Sequence, residues 1–565
     1  MNLATIKSEI GTWRNQRRPL FGVRRFLVSR IFSAAILSAL AVCCLGGVDS
    51  MAGVEGMRDP TLGGTLRLAL PTDVRSLDPA IAYEPESWPF LRLLYHGLLD
   101  YDEDLNLVPW QARDWNISPD GRTYTFHLLP GVRFSNGREV RAQDYCFTLE
   151  RILNPKTKSP GDGFFRGILG AKEFQDGKEP HVRGLRSPEP DTLVIELSTP
   201  DLSFQYMMAM PFAFVVPQEV VELYQDDFAQ HPTGTGPYIL RDWRRGARLR
   251  FGRNPFYSGR EISYLEAIEV MIGGDETLHL MMFERGELDI ACITPAGVPI
   301  PDFTRIMRNP VLRKGLEQMP HSATWYISLN TELPPLDNAK VRRAMNYATD
   351  KQRLIRLLNN RGIPARGVLP PPMPGFNPKL KGYDYDPAKA RQLLAEAGYA
   401  QGFKTAIWHE NDLASSRLAA AIKQDWSQVR VEVELRPAAL AMYLEAVKRR
   451  TNAPCALGPW FQDYPDPSNF LDVLFHGGRI VDVNCNNRAF YNNAKVNKLL
   501  DEAASSGDVE RRLDLYQQAE VIIVQEAPWV FLFHPFLYKL SQPWLRGPKL
   551  HPIWPSRFER MWIEK

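Results

Sequence analysis

The feature that most constrains the fold is a short polar–apolar alternation enclosed between two tight turns. In residues 123–128 an apolar side chain follows each polar one, in the order T-Y-T-F-H-L. This period of two is typical of a strand with one buried face. Asp120-Gly121 precedes the segment and Ser135-Asn136-Gly137 follows it, and both are tight-turn sequences. The segment therefore predicts a β-rich lobe and not a catalytic motif.

The chain is too long for a single hydrophobic core. It has 565 residues, whereas single cores stop growing at roughly 250–300 residues, so two or three domains are expected. The net charge is +3, and basic residues in the first 52 positions supply that excess. The rest of the chain is near neutral, which gives no electrostatic argument for binding nucleic acid. Arg248 and Arg250 alternate with Leu249 and Phe251, so this basic segment is predicted to be a solvated strand face.

Helix and strand signals are mixed along the chain without a fixed repeat. Asp386-Pro387 before an apolar stripe, with Gly398 after it, predicts a capped helix, and Asp337 and Asp350 are predicted to cap two more. Residues 496–523 predict two helices with a break near residues 505–507. Strands are predicted at residues 64–70, 192–197, 248–251, 267–272 and 325–329. This mixture predicts α/β or α+β lobes, and the proline-rich residues 369–374 predict a surface loop.

The N-terminus has the pattern of an export signal. Basic residues extend to Arg30, residues 31–48 are mostly apolar, and small residues follow at positions 50–52. A cleaved signal peptide, an uncleaved membrane anchor and a lipoprotein attached through Cys43 all stay open. Val42 stands where a lipoprotein signal usually has Gly, Ala or Ser. Each alternative places the rest of the chain outside the cytoplasm, and no later segment has a comparable apolar run.

Cysteine and catalytic patterns complete the analysis of the residues themselves. Export makes Cys146, Cys292, Cys455 and Cys485 candidates for disulfides with three possible connectivities, and four unpaired buried thiols are the alternative. No nucleophile elbow, zinc-protease, P-loop or C-x-x-C sequence occurs. His409-Glu410 lacks a second histidine at metal-ligand spacing. We therefore predict a protein that is not an enzyme and has no cofactor and no bound metal.

Several longer motifs, in a fixed order, resemble one known family. They are R-S-L-D-P-A at residues 75–80, Y-H-G-L-L-D-Y-D-E at 95–103, L-V-P-W-Q-A-R-D-W-N-I-S-P-D-G-R-T-Y-T-F-H-L-L-P-G-V-R-F-S-N-G at 107–137, H-P-T-G-T-G-P-Y at 231–238, R-G-E-L-D-I at 285–290, W-Y-I-S-L-N-T at 325–331, D-N-A-K-V-R-R-A-M-N-Y-A-T-D at 337–350 and F-Q-D-Y-P-D-P-S-N-F at 461–470. The chain resembles the extracytoplasmic solute-binding proteins of ABC importers, in the dipeptide- and oligopeptide-binding branch, family 5. The resemblance covers nearly all of residues 60–565.

The resemblance implies an α/β, periplasmic-binding-protein-like two-lobed clamp with an extra inserted domain. After a leader at residues 1–52, lobe I would be discontinuous, at residues 60–91, 236–322 and 533–565. The inserted domain II would comprise residues 92–235, and lobe III residues 323–532. Because the resemblance puts Cys455 and Cys485 in one lobe, they are the first disulfide pair to test.

The resemblance also implies the ligand-binding residues. In peptide-binding relatives the aspartate matching Asp463 takes the ligand's α-ammonium; the alternative for Asp463 is a structural role in the turn at Pro465 or at the helix start near Asn469. Backbone pairing with an extended peptide is expected at three segments. The full predicted set is Tyr83, Glu84, Ala323, Thr324, Trp460, Phe461, Asp463 and His534. The three backbone-pairing segments are Tyr83-Glu84, Ala323-Thr324 and residues 459–461. Pro459, in the third, has no N–H to donate, so only its carbonyl could pair with the peptide.

The function that follows is that of a periplasmic or membrane-tethered receptor that binds short peptides for an ABC permease and its ATPase. Membrane contact would run through the N-terminal segment, and no nucleic-acid partner is expected. Two alternatives stay open. The same fold binds an oligosaccharide, opine, metal chelate or haem in other relatives. An anchored peptide-binding sensor or chaperone without an importer is the second.

Overall fold

β-Strands occur throughout the described chain, which in this computed structural model comprises residues 60–259, 263–294 and 297–564. In chain order the strands are β1 Thr65–Leu70, β2 Leu99–Tyr101, β3 Leu107–Pro109, β4 Ala112–Ile117, β5 Thr123–Leu128, β6 Leu185–Glu189, β7 Thr192–Glu196, β8 Tyr238–Arg244, β9 Arg248–Arg253, β10 Ala267–Ile272, β11 Leu316–Pro320, β12 Ala323–Leu329, β13 Gly362–Pro364, β14 Phe403–Glu410, β15 Val431–Ala438, β16 Cys455–Phe461, β17 Trp529–Leu540, β18 Leu545–Arg546 and β19 Trp562–Ile563.

Helices alternate irregularly with these strands. In chain order they are α1 Trp88–Leu94, α2 Ala142–Leu153, α3 Asp162–Phe165, α4 Ala171–Gln175, α5 Phe204–Met207, α6 Gln218–Tyr224, α7 Glu276–Glu284, α8 Phe303–Arg308, α9 Pro310–Lys314, α10 Ala339–Tyr347, α11 Lys351–Leu357, α12 Pro387–Glu396, α13 Leu413–Ser427, α14 Leu440–Val447, α15 Ser468–Phe475, α16 Ala494–Ser505 and α17 Val509–Glu526. Short 3₁₀ turns occur at Pro211–Ala213, Gln225–Gln230, Gly477–Arg479 and Phe558–Arg560.

Three larger sheets organise the described residues, each with its own apolar core. The first has the order β1-β10-β9-β8, and β1 runs parallel to β10. The second is antiparallel, in the order β4-β5-β7-β6. The largest follows the order β11-β17-β12-β16-β14-β15, and β13 also pairs with β17. Separate buried clusters lie against these sheets, which gives a mixed α/β architecture of several packed layers.

The strand predictions are confirmed at the residue level. In β5 the tyrosine, phenylalanine and leucine are buried while the alternate side chains are half-buried. The turns at its two ends contain Gly121 and Gly137, with φ of 70° and 90°. In β9 Leu249 and Phe251 are fully buried, whereas Arg248 and Arg250 point outward and pair with Asp242 and Glu269. The basic segment is therefore a solvated strand face, as predicted.

The helix predictions are confirmed except for one cap. Asp386 caps α12 by accepting a hydrogen bond from the Lys389 N–H, and Pro387 is the first helical residue. Asp350 caps α11 in the same way. The predicted cap at Asp337 is wrong, because the side chain of the next residue, Asn338, accepts the Lys340 N–H at 2.9 Å. The break in residues 496–523 is confirmed as the gap between α16 and α17.

Two further expectations about side chains need correction. Cys146, Cys292, Cys455 and Cys485 are all free and buried, so the disulfide between Cys455 and Cys485 is wrong and the alternative of unpaired thiols holds. The proline-rich segment is a loop, but not one on the surface. Leu369 and Met373 are 1% and 2% exposed because they pack into the core beside β12 and β17.

The longest strand joins two parts of the largest sheet. Residues 529–533 of β17 pair with β12, and Phe536–Leu540 pair with β11. The predicted boundary between residues 532 and 533 lies inside this strand, and the domain limits stay a prediction. The alternatives for residues 1–52 lie outside the described residues. Across the part of the chain that is described, no helix combines the length and apolar character needed to cross a bilayer.

Candidate functional site

A cavity of about 250 Å³ lies where several parts of the chain meet. Most of its wall comes from the start of α1 with the loop before it, the C-terminal end of β16, the second half of β17 and the loop at residues 550–556. Side chains from the segment 290–294, His321 and Arg488 complete the wall. These segments are far apart in sequence, so only folding brings their side chains together. The lining mixes aromatic and proline side chains with a few charged ones, which is the usual composition of a small-molecule site.

Asp463 is the buried carboxylate of this cavity. It follows β16 directly and is 7% exposed. The Tyr83 hydroxyl donates to its Oδ1 at 2.8 Å, and the Asn469 side-chain amide donates to its Oδ2 at 2.9 Å. A carboxylate has about four acceptor positions, so each oxygen keeps one for another donor. The arrangement can hold a cationic donor such as an ammonium group.

The electrostatic surroundings leave Asp463 ionised at neutral pH. Burial raises its pKa to about 6, and hydrogen bonds from Asn469 and Tyr83 and the charge of Lys448 act in the opposite direction. Burial also raises the pKa of Tyr83 well above its ordinary value, and the Asp463 carboxylate adds to the effect. The Tyr83 hydroxyl is therefore a stable donor. The site carries a buried negative charge that is only partly compensated.

Asp466, three residues further along the chain, has a clear structural role. Asp466 Oδ1 accepts the Ser468 N–H at the start of α15, and both of its oxygens bind the Arg512 guanidinium at 2.6 and 2.7 Å. Asp463 is instead positioned by Asn469, whose side chain accepts the Asp463 N–H and donates back to its carboxylate. Asp466 supports the turn, and Asp463 lines the cavity. The choice between a ligand role and a structural role for Asp463 stays a prediction.

The aromatic residues predicted for the site also line the cavity. Trp460 is 8% exposed, donates from Nε1 to Asn469 Oδ1 at 3.2 Å and belongs to an apolar core as well. Phe461 is half-buried and contacts the ring of His321. Pro459 precedes them in β16, opposite Trp325 of β12. Tyr83, Trp460, Phe461 and Asp463 are thus brought together.

The other four predicted residues do not line this cavity. Ala323 and Thr324 are fully buried in β12, opposite Phe461 and Trp460. His534 is 2% exposed, and its Nδ1 lies 3.0 Å from the Thr324 hydroxyl, while burial lowers its pKa to about 4. Glu84 is half-buried beside Arg75. Their ligand contacts stay a prediction from the family resemblance.

Several cavity residues carry no signal in the sequence. Arg488 lies in the segment N-N-R-A-F-Y, which matches no binding motif, yet it reaches the cavity. Gln462 donates to the Pro552 carbonyl, while its buried Oε1 has no partner among the described residues. Trp88 and Trp554 contact each other across the wall. Their roles depend on contacts between distant segments, which no local pattern predicts.

The described residues contain no group of three or more His, Cys, Asp or Glu side chains placed to hold a metal ion. Burial also raises the pKa of the Cys292 thiol at the cavity wall, so it is protonated at neutral pH.

Known proteins resemble this chain over most of its length. Residues 106–482 match the family model described as bacterial extracellular solute-binding proteins, family 5 middle. The heme-binding protein A of Haemophilus influenzae is 29% identical over 490 residues, covering 83% of this chain and 87% of that protein. The dipeptide-binding protein of Escherichia coli is 27% identical over 508 residues, covering 85% and 90%.

A solved structure gives the same result at the level of the fold. The ABC-transporter-associated periplasmic binding protein of Helicobacter pylori, in complex with the peptide STSA, superposes with a TM-score of 0.77 and 25% identity. The match covers 89% of this chain and 99% of that one. The likeness therefore extends over nearly the whole described chain and is not confined to one sheet.

Proposed function

The chain belongs to the bacterial extracellular solute-binding proteins of family 5, and from that premise we propose that it is the extracytoplasmic receptor of an ABC importer for short peptides. The relatives support a transport receptor, but their names cover different solutes, haem in one and dipeptides in another. The choice of a peptide rests on the cavity.

The observation that carries this choice is the buried carboxylate of Asp463. A peptide with a free N-terminus brings an ammonium group with several N–H donors, and both Asp463 oxygens have acceptor positions left. Burial strengthens such a charge pair, and removing one member of a buried pair costs about 2–5 kcal/mol. The rings of Tyr83, Trp460 and Phe461 would pack against the peptide next to this group.

Recognition of the peptide would be followed by closure of the clamp. A hinge motion encloses the ligand between lobes I and III and presents a new surface to the permease, and the ATPase supplies the energy elsewhere. The receptor itself catalyses no reaction in this scheme. Its location is extracytoplasmic, and tethering to the inner membrane through the N-terminal segment belongs to the proposal.

The first experiment is mass spectrometry of the ligands that co-purify with the full-length chain and are released by denaturation. Peptides of two to five residues are the expected result. A sugar, a haem or a metal chelate would keep the family assignment and contradict the peptide ligand. If no ligand co-purifies, binding of alanine peptides of two to five residues is measured by calorimetry. Failure of all of them to bind would contradict the proposal.

The test of the site uses Asp463→Asn, which keeps the size of the side chain and removes its charge. We expect peptide affinity to fall by about 30-fold or more, because the buried ammonium loses its counter-charge. Asp501→Asn is the matched control, since Asp501 is an exposed carboxylate that does not line the cavity. Equal affinity of wild type and Asp463→Asn would remove Asp463 from the site. An importer is tested separately, by peptide uptake in cells that lack the gene and in cells that carry it.

A further inference from the structure

A second cavity, of about 300 Å³, lies apart from the one that contains Asp463. Its wall comes from the start of α11, the end of β13 with the residues after it, and the loop before α12. No described residue lines both cavities. The two loops approach each other closely, since a Cβ atom on Gly382 would lie 2.8 Å from the Arg366 Cα. This cavity is therefore a separate space that the proposed function does not use.

Lys351 contributes a buried ammonium group to the wall of this second cavity. It is 6% exposed, and its Nζ donates to the Ala365 carbonyl at 2.9 Å. Among the described residues this carbonyl is its one hydrogen-bond partner, and no carboxylate forms an ion pair with it. An ammonium group has three N–H donors, so two of them have no protein acceptor in the described chain. Burying a charge in this way costs stability unless a partner compensates it.

The other buried lysine among the described residues obeys the usual rule. Lys539 has the same exposure, 6%, and its Nζ lies 3.0 Å from a carboxylate oxygen of Glu317. It also donates to the Pro548 carbonyl. The two lysines therefore differ in pairing and not in depth. An uncompensated charge that is kept in a cavity wall is typical of a functional group.

Three further charged side chains in the same wall limit the charge of a ligand. Arg366 is positive, and within the described chain its guanidinium has no ion-pair partner. Asp384 is exposed and attracts Lys351 without forming an ion pair with it. Asp350 caps α11 and lies 3.8 Å from Arg356. Because the two aspartates would repel a multiply charged anion, the wall favours an anion with a single charge.

The rest of the wall suits an organic group. Pro364, Tyr383 and Tyr385 line the cavity beside the charged residues. The Tyr383 hydroxyl donates to the Val524 carbonyl at 2.7 Å, and the Tyr385 hydroxyl donates to Gln428 Oε1 at 3.2 Å. Both hydroxyl protons are therefore already used. The rings and the proline are left to contact a hydrocarbon group.

We propose that this second cavity binds a small organic monocarboxylate, whose carboxylate pairs with the Lys351 ammonium and whose hydrocarbon part lies against the two tyrosine rings and Pro364. The carboxylate would accept the two remaining N–H donors in charge-assisted hydrogen bonds, which are the strong kind. Arg366, whose charge acts on Lys351, would add a second positive charge. The inference does not depend on peptide binding in the first cavity.

The binding test compares propionate with propionamide, which has nearly the same shape but no charge. Ligand-observed NMR with the full-length chain is expected to show propionate binding at least about tenfold more tightly than propionamide, because the amide loses the interaction with a buried charge. Equal binding of the two by the wild type would overturn the proposal. Tighter binding of sulfate than of propionate would overturn the choice of an organic monocarboxylate.

Variants assign the binding to Lys351. Lys351→Met should bind propionate as weakly as propionamide, and so should Lys351→Gln, which keeps a donor for the Ala365 carbonyl if the first variant folds poorly. Lys379→Met is the matched control, since Lys379 is exposed and does not line the cavity. It should bind propionate like the wild type. Unchanged propionate affinity in a folded Lys351 variant would overturn the proposal.

The pH dependence of the wild type tests the same site without a substitution. Burial lowers the pKa of Lys351 to about 7, while Asp384 raises it and Arg366 lowers it further. The other charged or titratable side chains around it are Asp350 on α11, Asp425 on α13, Tyr383 and Tyr385 before α12, and His534 on β17. Burial raises the pKa of Tyr383 to about 12 and lowers that of His534 to about 4, so neither changes its charge between pH 6 and pH 8.

Propionate affinity should therefore fall by about tenfold from pH 6 to pH 8, because the ammonium form of Lys351 declines by that factor and propionate itself stays ionised. Lys351→Gln should show no such fall. A wild-type affinity that is the same at both pH values would overturn the proposal, and so would an equal fall in the variant.

Discussion

At the scale of single residues, the ionisation of Asp463 couples ligand binding to pH. Its pKa of about 6 results from burial, which outweighs the hydrogen bonds of Asn469 and Tyr83 and the charge of Lys448. Only the ionised form attracts an ammonium group. As pH falls through 6 the carboxylate is protonated, so the affinity for a peptide falls as well.

We therefore expect peptide affinity to decrease by about tenfold between pH 7 and pH 5, measured by calorimetry. Lys448, with a pKa of about 8, is already mostly protonated at pH 7, so its charge changes little in this window. Asp463→Asn should lose the pH dependence. The same decrease in this variant would assign the effect to another group.

The stability of the ligand-free protein should change with pH in the opposite direction to the peptide affinity. The folded-state pKa of Asp463 lies above the ordinary aspartate value of 3.8, so between these values the folded chain holds a proton that the unfolded chain has released. The contribution of this group to stability is present at low pH and is lost as pH rises through 6. Thermal melts of stripped wild type and Asp463→Asn at pH 5 and pH 7 measure the difference.

At the scale of elements, the start of α10 is determined by one hydrogen bond. Asn338 accepts the Lys340 N–H, whereas the Asp337 side chain forms no hydrogen bond among the described contacts. Asn338→Ala should lower stability by about 1 kcal/mol, the usual effect of losing an N-cap. Asp337→Ala, the neighbouring control, should change it by less than about 0.5 kcal/mol. Urea unfolding measures both, and a larger loss at Asp337 would restore the cap expected from sequence.

At the scale of the whole molecule, the part of the chain from residue 60 onward that the structure describes is held together without disulfides. The four described cysteines are free and buried, and burial raises the pKa of Cys146 and Cys455 to about 12. Their thiolate populations at neutral pH are therefore small. We expect dithiothreitol to leave the melting temperature unchanged. We also expect that a thiol-alkylating reagent labels these four cysteines once a denaturant is added, without any reductant. Mass spectrometry of a proteolytic digest measures the labelling.

The prediction of free cysteines would be contradicted if a digest made without reductant contained two of these cysteine peptides joined by a disulfide. Cys455 is the informative position, since it lies fully buried in β16 with its sulfur 3.6 Å from the Thr405 hydroxyl. Cys485 lies in a different segment, with its sulfur 3.5 Å from the Asn487 carbonyl. A reducible bond between them would require rearrangement next to the cavity.

The sequence by itself determined the features that depend on neighbouring residues. The alternation in β5 and β9, the Asp386-Pro387 start of α12 and the break between α16 and α17 each follow from contacts within a few residues. Side-chain direction in a strand and capping of a helix are local physics, so local patterns predict them. The cap of α10 was wrong by one position because two adjacent polar residues could both serve.

Only the tertiary structure decided which distant residues share the cavity. Asp463 and Tyr83 are joined by a hydrogen bond across 380 positions of sequence, and Arg488 reaches the same wall from another segment. The inward packing of Leu369 and the free state of the cysteines have the same origin. Burial and pairing of charges depend on what the rest of the chain places around a residue. No local pattern contains that information, which is why Arg488 had no signal in the sequence.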